Sequence, residues 1–367
     1  MNRMIIANLV HRPIRSLISV IAIAVEVTLI LVIVGLSMGM MNDAKQRQKG
    51  IGADVIVQPP GSSFLAGITG APVSIKVADV VAKLPHVTVV SPVIWQLNTT
   101  GNVEVIYGID LKSFEALAGP FNYLEGGPFT GPDTVIVDDW FAAGNKVGVG
   151  SKLTMFNHEV TVCAVVEHGR GARRFLPIKT LQDWIGAQGK ASVFYVKLDD
   201  AKNARLVVDE IKSVPGMQQY SVRSMEEYLS MMTPENLPGF KPFLKVVIGV
   251  AMVIGFIVIF QAMYAAVMER TREIGILKSM GASKFYIVNT VLRETFLLAV
   301  AGTALGVGIS FGVSRAIAAR IATLRPIIEG NWIGYAAAIA IVGALIGALY
   351  PAFKAAQKDP IDALAYE

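Results

Sequence analysis

Four apolar runs limit what this chain can become. Leu17–Met41 is interrupted by one ionisable residue, Glu26, and Val246–Met268 carries no charged residue at all. Thr295–Val313 and Trp332–Pro351 complete the set. As a helix the first run spans ~37 Å at ~1.5 Å per residue, more than the ~30 Å of a bilayer's hydrocarbon core. A cleaved signal sequence would have a shorter apolar core, about 7–15 residues, ending in a small-residue cleavage site. Here the run closes on Met38-Gly39-Met40-Met41-Asn42, so it reads as a retained helix. With a mean hydropathy of +0.53 and only 17% charged residues, an ordinary soluble enzyme is excluded.

Between the first and second runs lie about 200 residues, enough for a separate core. Asp54–Gln58, Val87–Leu97, Val103–Ile109, Thr134–Val137, Glu159–Val166 and Ser192–Leu198 alternate or cluster apolar residues as strands do. Val77–Leu84, Leu111–Leu117 and Asn203–Ser213 read as helices, and Ser224-Met-Glu-Glu227 has capping-box spacing. The fold expected is membrane α-helical, with four transmembrane helices and an α+β domain between helices one and two. The segments are 1–16 (basic N-terminus), 17–41 (helix one), 42–241 (α+β domain) and 246–268 (helix two). After them come 269–283 (connection), 284–319 (interfacial segment turning into helix three), 320–331 (loop), 332–353 (helix four) and 354–367 (polar tail).

Charge is divided along the same lines. Asn42–Phe240 holds 18 Lys and Arg against 20 Asp and Glu, a balance of −2, while the rest holds 15 against 8, a balance of +7. The positive excess therefore flanks the membrane, which argues for topology signals and against a nucleic-acid surface. Arg3, Arg12 and Arg15, the Arg270–Lys284 connection, and Lys354 with Lys358 fall on one side after four crossings. Both termini are expected in the cytoplasm of a bacterial inner-membrane, multi-pass protein, with the large domain extracytoplasmic.

Catalytic chemistry is sparse. No Gly-x4-Gly-Lys-[Ser/Thr] occurs, so the chain has no nucleotide cradle of that type. His11, His86, His158 and His168 show no ligand spacing, and Cys163 is the single cysteine, so no metal site is expected. Asp138-Asp139 and Asp199-Asp200 read as turn and helix-start residues, because adjacent carboxylates point apart. Gly169–Arg174 reads as a basic, solvated loop, with an anionic lipid or partner contact as the sharper alternative. Glu26 is a candidate intramembrane polar site, since a carboxylate at a helix centre costs roughly 2.5–3.5 kcal/mol on insertion scales. It either lines a path or seam, or makes a structural hydrogen bond to a hydroxyl or to Gln261. Met38, Met41, Met231 and Met232 are candidate cargo contacts, thioethers adapting to irregular shapes, although plain packing also explains them. Gly302, Gly306 and Gly308 form a small-residue face suited to close helix packing, a dimer seam being one version.

The segment Glu269–Ser283 is dense in charge between two apolar runs. Ile274, Leu277 and Gly281 share one helical face, with Glu273, Ile276 and Met280 on a neighbouring one. Gly281 suits a C′ position and Ser283 the N-cap of the following helix. A short amphipathic helix of this kind is shaped to be gripped.

Taken together, the chain resembles the permease subunits of MacB/FtsX/LolC-type ABC transporters. The resemblance rests on Asn8–Ser16, Gly52–Gln58, Tyr350–Ala356, Asp359–Leu364 and, most specifically, Glu269–Ser283. It implies a MacB-like periplasmic core domain, a homodimer in the lipid bilayer, and two copies of a separate cytoplasmic ATPase that binds ATP and Mg, with no cofactor and no catalysis in this chain. By position, Glu269–Lys278 would seat in the ATPase. Arg270, Arg272, Glu273 and Lys278 would make polar contacts, and Ile274 and Leu277 would be apolar anchors; Gly275 and Gly281 belong to the same element. The function expected is ATP-driven export or extraction of a hydrophobic or amphiphilic cargo, such as haem, a lipid or lipoprotein, a drug or a peptide. The competing expectation is a non-transporting mechanotransmission scaffold that regulates an extracytoplasmic partner such as a cell-wall hydrolase. A sensor without an ATPase is a third.

Overall fold

The computed structural model describes residues 13–62, 70–98, 104–233, 236, 239–269 and 271–357. Among these, the helices are α1 (Pro13–Lys49), α2 (Val77–Val81), α3 (Leu111–Ala118), α4 (Asp139–Asn145), α5 (Ile178–Trp184) and α6 (Ala204–Ser213). They continue with α7 (Met225–Ser230), α8 (Phe240–Glu269), α9 (Thr271–Ser279), α10 (Lys284–Arg320) and α11 (Gly330–Gln357). The strands are β1 (Val55–Gln58), β2 (Val73–Ser74), β3 (Val87–Asn98), β4 (Glu104–Ile109), β5 (Tyr123–Gly126) and β6 (Thr134–Asp138). They end with β7 (Lys152–Met155), β8 (His158–Val166), β9 (Arg174–Pro177), β10 (Lys190–Ala191), β11 (Val193–Leu198) and β12 (Ser221–Ser224). Two compact units result: a helical one of α1 up to Gly39, Lys241–Ala319 and the chain from Arg325, and a sheet domain of Met40–Phe240 with Arg320–Leu324.

In the helical unit, α1, α8, α10 and α11 are each long and apolar enough to cross a membrane. Their contacts are made by small residues, as expected where lipid offers no hydrophobic contrast. Gly302 lies under Ile23 and Gly306 under Ala24 and Val27, so close that any Cβ at either glycine would force the helices apart. Thr28 Oγ1 adds a 3.1 Å hydrogen bond to the Gly306 carbonyl. The small face of α10 is thus spent within the chain, and Gly308 faces open space. On α11 a stripe of alanines spaced four residues apart, Ala336, Ala340, Ala344, Ala348 and Ala352, is buried, and Gly347 sits against the backbone of Phe256. The expected turn between an interfacial segment and helix three is absent: α10 runs unbroken for 37 residues. Its polar first turns continue the helix because no Pro or Gly interrupts Lys284–Ala301.

The sheet domain is an α+β unit on a mixed sheet of order β12-β1-β11-β3-β4-β9-β6-β8-β5, with β7 on β8. Two pairings are parallel, β4 with β9 and β6 with β8; the other neighbours run antiparallel. All four residues of β1 are buried, as a central strand's continuous apolar run demands. One core gathers Tyr107, Phe114, Phe175, Tyr195 and Tyr228. Helices α6 and α2 close a second around Val207 and Ile211, and α4 and α5 a third around Phe141 and Leu181.

The strand β9 begins inside the stretch read as a solvated basic loop. Its arginines are not available to lipid. Arg170 donates to the Gly119 carbonyl at 2.7 Å and lies over Phe121. Arg173 pairs with Asp43 at 2.8 Å and Asp138 at 3.2 Å. Arg174 pairs with Glu104 at 3.1 Å and covers Phe141. The acidic partners come from distant parts of the chain, so local sequence could not announce them.

Candidate functional site

The connection between α8 and α10 exposes Arg272, Glu273, Ile276 and Met280 on one side of a short helix. Thr271 opens α9 and turns its hydroxyl back onto the Met268 carbonyl at 2.8 Å, tying the helix to the end of α8. At the other end the chain reverses through Gly281, whose φ of +93° only glycine adopts without strain. The Ala282 N–H reaches the Leu277 carbonyl and the Gly281 N–H the Lys278 carbonyl, both at 3.0 Å. This is the paired bonding of a Schellman motif, and Leu277 and Ala282 both pack against the buried cluster beneath it. Ser283 Oγ then accepts the Tyr286 N–H at 3.2 Å and caps α10.

Beneath α9 lies a small core of its own. Ile274 packs with Val267, Ile287, Val288, Ala352, Ala355 and Ala356, and Leu277 sits against the same cluster. Lys278 Nζ donates to the Ala356 carbonyl at 3.0 Å, fixing α9 to the end of α11. An apolar pocket of about 310 Å³ opens beside it, with Met263, Ile276, Leu277 and Val291 in its wall and Glu273 and Glu294 as its carboxylates.

These contacts redistribute the roles expected for the segment. Ile274 is buried in the chain's own core, Leu277 packs against that core, and Gly275 is buried with them. Lys278 is bound to α11. Arg272, Glu273 and Gly281 are exposed, as is Glu269 at the end of α8, and Arg270 lies outside the described residues. The apolar side chains that do face outward are Ile276, Met280 and Phe285, at 43%, 71% and 78% exposure. Two of the three are on the neighbouring face that helical periodicity had separated from Ile274. Phe285 sits beyond the turn, in the first turn of α10 and outside the periodicity of α9.

The intramembrane pair does not form. Glu26 is buried, and its carboxylate fills the space that the missing side chain of Gly255 leaves on α8. Among the described residues its Oε1 finds no hydrogen-bond donor. Gln261 is exposed and lies six residues further along α8, on another face. Of the candidate cargo contacts, Met232 is 5% exposed and belongs to the sheet domain's core; Met38, Met41 and Met231 are half-buried.

The paired aspartates and the histidines of the sheet domain make structural contacts. Asp138 caps α4 at the Phe141 N–H and takes Arg173; Asp139 takes His168 at 3.0 Å. His158 stacks on Trp184, and His86 pairs with Asp199. Among the described residues no three His, Cys, Asp or Glu side chains are placed to hold a metal ion. The features that sequence reading missed here, β9 and the ion pairs of Arg173 and Arg174, carry no local signal beyond the alternation of Arg174-Phe-Leu-Pro177.

Comparison with known proteins places both halves. Residues 16–214 match the family model of the MacB-like periplasmic core domain, and residues 245–360 that of the FtsX-like permease C-terminal region. Curated relatives include the macrolide export ATP-binding/permease protein MacB of Neisseria gonorrhoeae, 24% identical over all of this chain and 60% of that protein. The MacB of Chromobacterium violaceum is 28% identical over 61% of this chain and 36% of its own length. An uncharacterised ABC transporter permease, YknZ of Bacillus subtilis, is 27% identical over 63% of this chain and 64% of its own. The chain therefore spans between about a third and two-thirds of the length of these relatives. Among solved structures, the periplasmic region of MacB from Actinobacillus actinomycetemcomitans aligns at 18% identity and a TM-score of 0.38, over 50% of this chain and 94% of that one. With a periplasmic core model covering more than half of its residues and a permease model covering its last helices, the chain belongs to the MacB/FtsX-type ABC permease family.

Proposed function

We propose that this chain is the membrane subunit of an exporter or extractor of hydrophobic or amphiphilic cargo, driven by a separate ATPase that docks on α9 and the start of α10. The observation that carries the reading is the two-sided construction of α9. Its inner side is anchored by Ile274, Leu277 and Lys278, while Arg272, Glu273, Ile276 and Met280 stand outward, as do Lys284 and Phe285 at the start of α10. An anchored helix with mixed apolar and charged residues facing out can both receive a force and pass it to α8, α10 and α11. Two relatives whose names join ATP binding to permease support the same pairing of activities.

The subunit acts as a homodimer with two ATPase copies, both termini cytoplasmic and the sheet domain extracytoplasmic. ATP and Mg belong to the ATPase, and this chain performs no catalysis itself. The test is reconstitution of the full chain with its ATPase in lipid nanodiscs, with hydrolysis measured against lipids, lipopeptides, haem and amine-bearing hydrophobic drugs. Stimulation by one of these classes is expected. Stimulation only by an extracytoplasmic protein partner would replace transport with a regulatory role.

A further inference from the structure

The last ten residues of α1, Met40–Lys49, belong to the sheet domain, and the way they are held there goes beyond packing. Arg173 sits between two carboxylates, Asp43 on α1 at 2.8 Å and Asp138 at the end of β6 at 3.2 Å. Its side chain is 8% exposed and that of Asp138 1%. Arg47 braces Asp43 at 3.1 Å. It also exchanges bonds with the loop before β9: the Arg47 guanidinium donates to the Gly171 carbonyl at 3.0 Å, and the Gly171 N–H donates to the Arg47 carbonyl at 2.7 Å. One residue on, Gln48 is buried and donates to the Tyr107 hydroxyl at 2.8 Å while accepting from the Tyr195 hydroxyl at 3.0 Å. The ring of Trp140 lies under Arg173 and stacks on His168, which Asp139 holds.

Buried charges are costly unless every one is paired, and an apolar contact of similar volume would hold the helix at lower cost. What the charged arrangement adds is direction: a guanidinium fork between two carboxylates fixes orientation as well as distance. We infer that Arg173 is a positioning residue, the pin that makes the end of α1 and the sheet one body, so that displacement of α1 is delivered to β6 and β9 without loss. This rests on the proposed reading of the chain as an ATP-driven permease. It assigns the transmitting contact to a place that reading does not specify.

The experiment uses the full chain with its ATPase in nanodiscs, on a Cys163→Ala background, with spin labels at Gln46 on α1 and Ala116 on α3, both exposed. The wild-type label pair should give one narrow distance distribution that is unchanged by nucleotide. Arg173→Met, which keeps the stem and removes the fork, should broaden it and lose nucleotide-driven movement of the sheet domain, read from a second pair joining Ala116 to α9. Arg173→Lys should restore the narrow distribution in part. A narrow distribution in Arg173→Met with full nucleotide-driven movement overturns the inference. Absence of any nucleotide response in the wild type, with the narrow distribution intact and lost on Arg173→Met, overturns the permease reading instead and leaves the pin standing. Thermal unfolding of each variant separates a loosened joint from an unfolded domain.

Discussion

Gly169–Arg174 and Glu269–Lys284 are both short, glycine-punctuated stretches dense in charge, and the fold treats them in opposite ways. In the first, each arginine is turned inward onto a carbonyl, a carboxylate or an aromatic ring. In the second, apolar residues and Lys278 are turned inward, and Arg272, Glu273 and Lys284 remain outside with Ile276, Met280 and Phe285. Charge density alone does not mark an interface. Acidic partners from elsewhere in the chain, Asp43, Glu104 and Asp138, reach the first stretch. Around α9 a small apolar core forms instead.

Removing a pin from the first stretch should have the largest effect. Arg173→Met leaves Asp43 and Asp138 without their shared cation, and breaking a buried pair in this way costs about 3–5 kcal/mol. Thermal unfolding of the full chain in detergent, followed by Trp fluorescence, should show a large drop in midpoint; a loss no greater than that of an exposed lysine would break the comparison.

Next is the pH dependence of the same cluster. Burial pushes the Asp138 carboxyl up to about 6, against the opposing pull of Arg173 and Arg47. A raised carboxyl pKa means that the folded domain holds this proton more tightly than the unfolded chain does. The contribution of Asp138 to stability is therefore complete below the ordinary aspartate range and is lost as pH rises through about 6. Comparing wild type with Asp138→Asn from about pH 4 to about pH 7 should show a steeper pH dependence in the wild type, and parallel profiles would contradict the assignment.

Gly281→Val comes third. A β-branched residue at φ +93° costs about 1–3 kcal/mol, and the strain falls on the turn that positions α9. ATPase stimulation should fall with little change in the melting of the sheet domain. The smallest stability effect belongs to Ile276→Ser with Met280→Ser, within about 0.5 kcal/mol because both side chains are exposed. Ile274→Ala, on the buried face that it shares with Leu277, sharpens the contrast by costing about 2–5 kcal/mol.

Much of this was legible in the sequence because the signals are local. Apolar length gives α1, α8, α10 and α11, and Gly281 with Ser283 punctuates the reversal between α9 and α10. The strands β1, β3, β4, β6, β8 and β11 follow from β-branched runs. What escaped depends on partners far away in sequence. β9 hides behind arginines whose carboxylates lie 35 to 130 residues off. The pairing of Glu26 with Gln261 failed because two polar residues in facing helices need not share a face, and Gly255 offers Glu26 its space instead. On α9 periodicity separated the two faces correctly but could not say which one the chain would keep, since that depends on α10 and the alanines of α11.

We propose that the outward face of α9 receives the ATPase. The most direct test is ATP hydrolysis by the reconstituted complex carrying Ile276→Ser and Met280→Ser, with thermal unfolding measured on the same preparation. Hydrolysis at the level of the ATPase alone, with an unchanged unfolding midpoint, is the predicted result. Full stimulation in a folded variant would contradict the account.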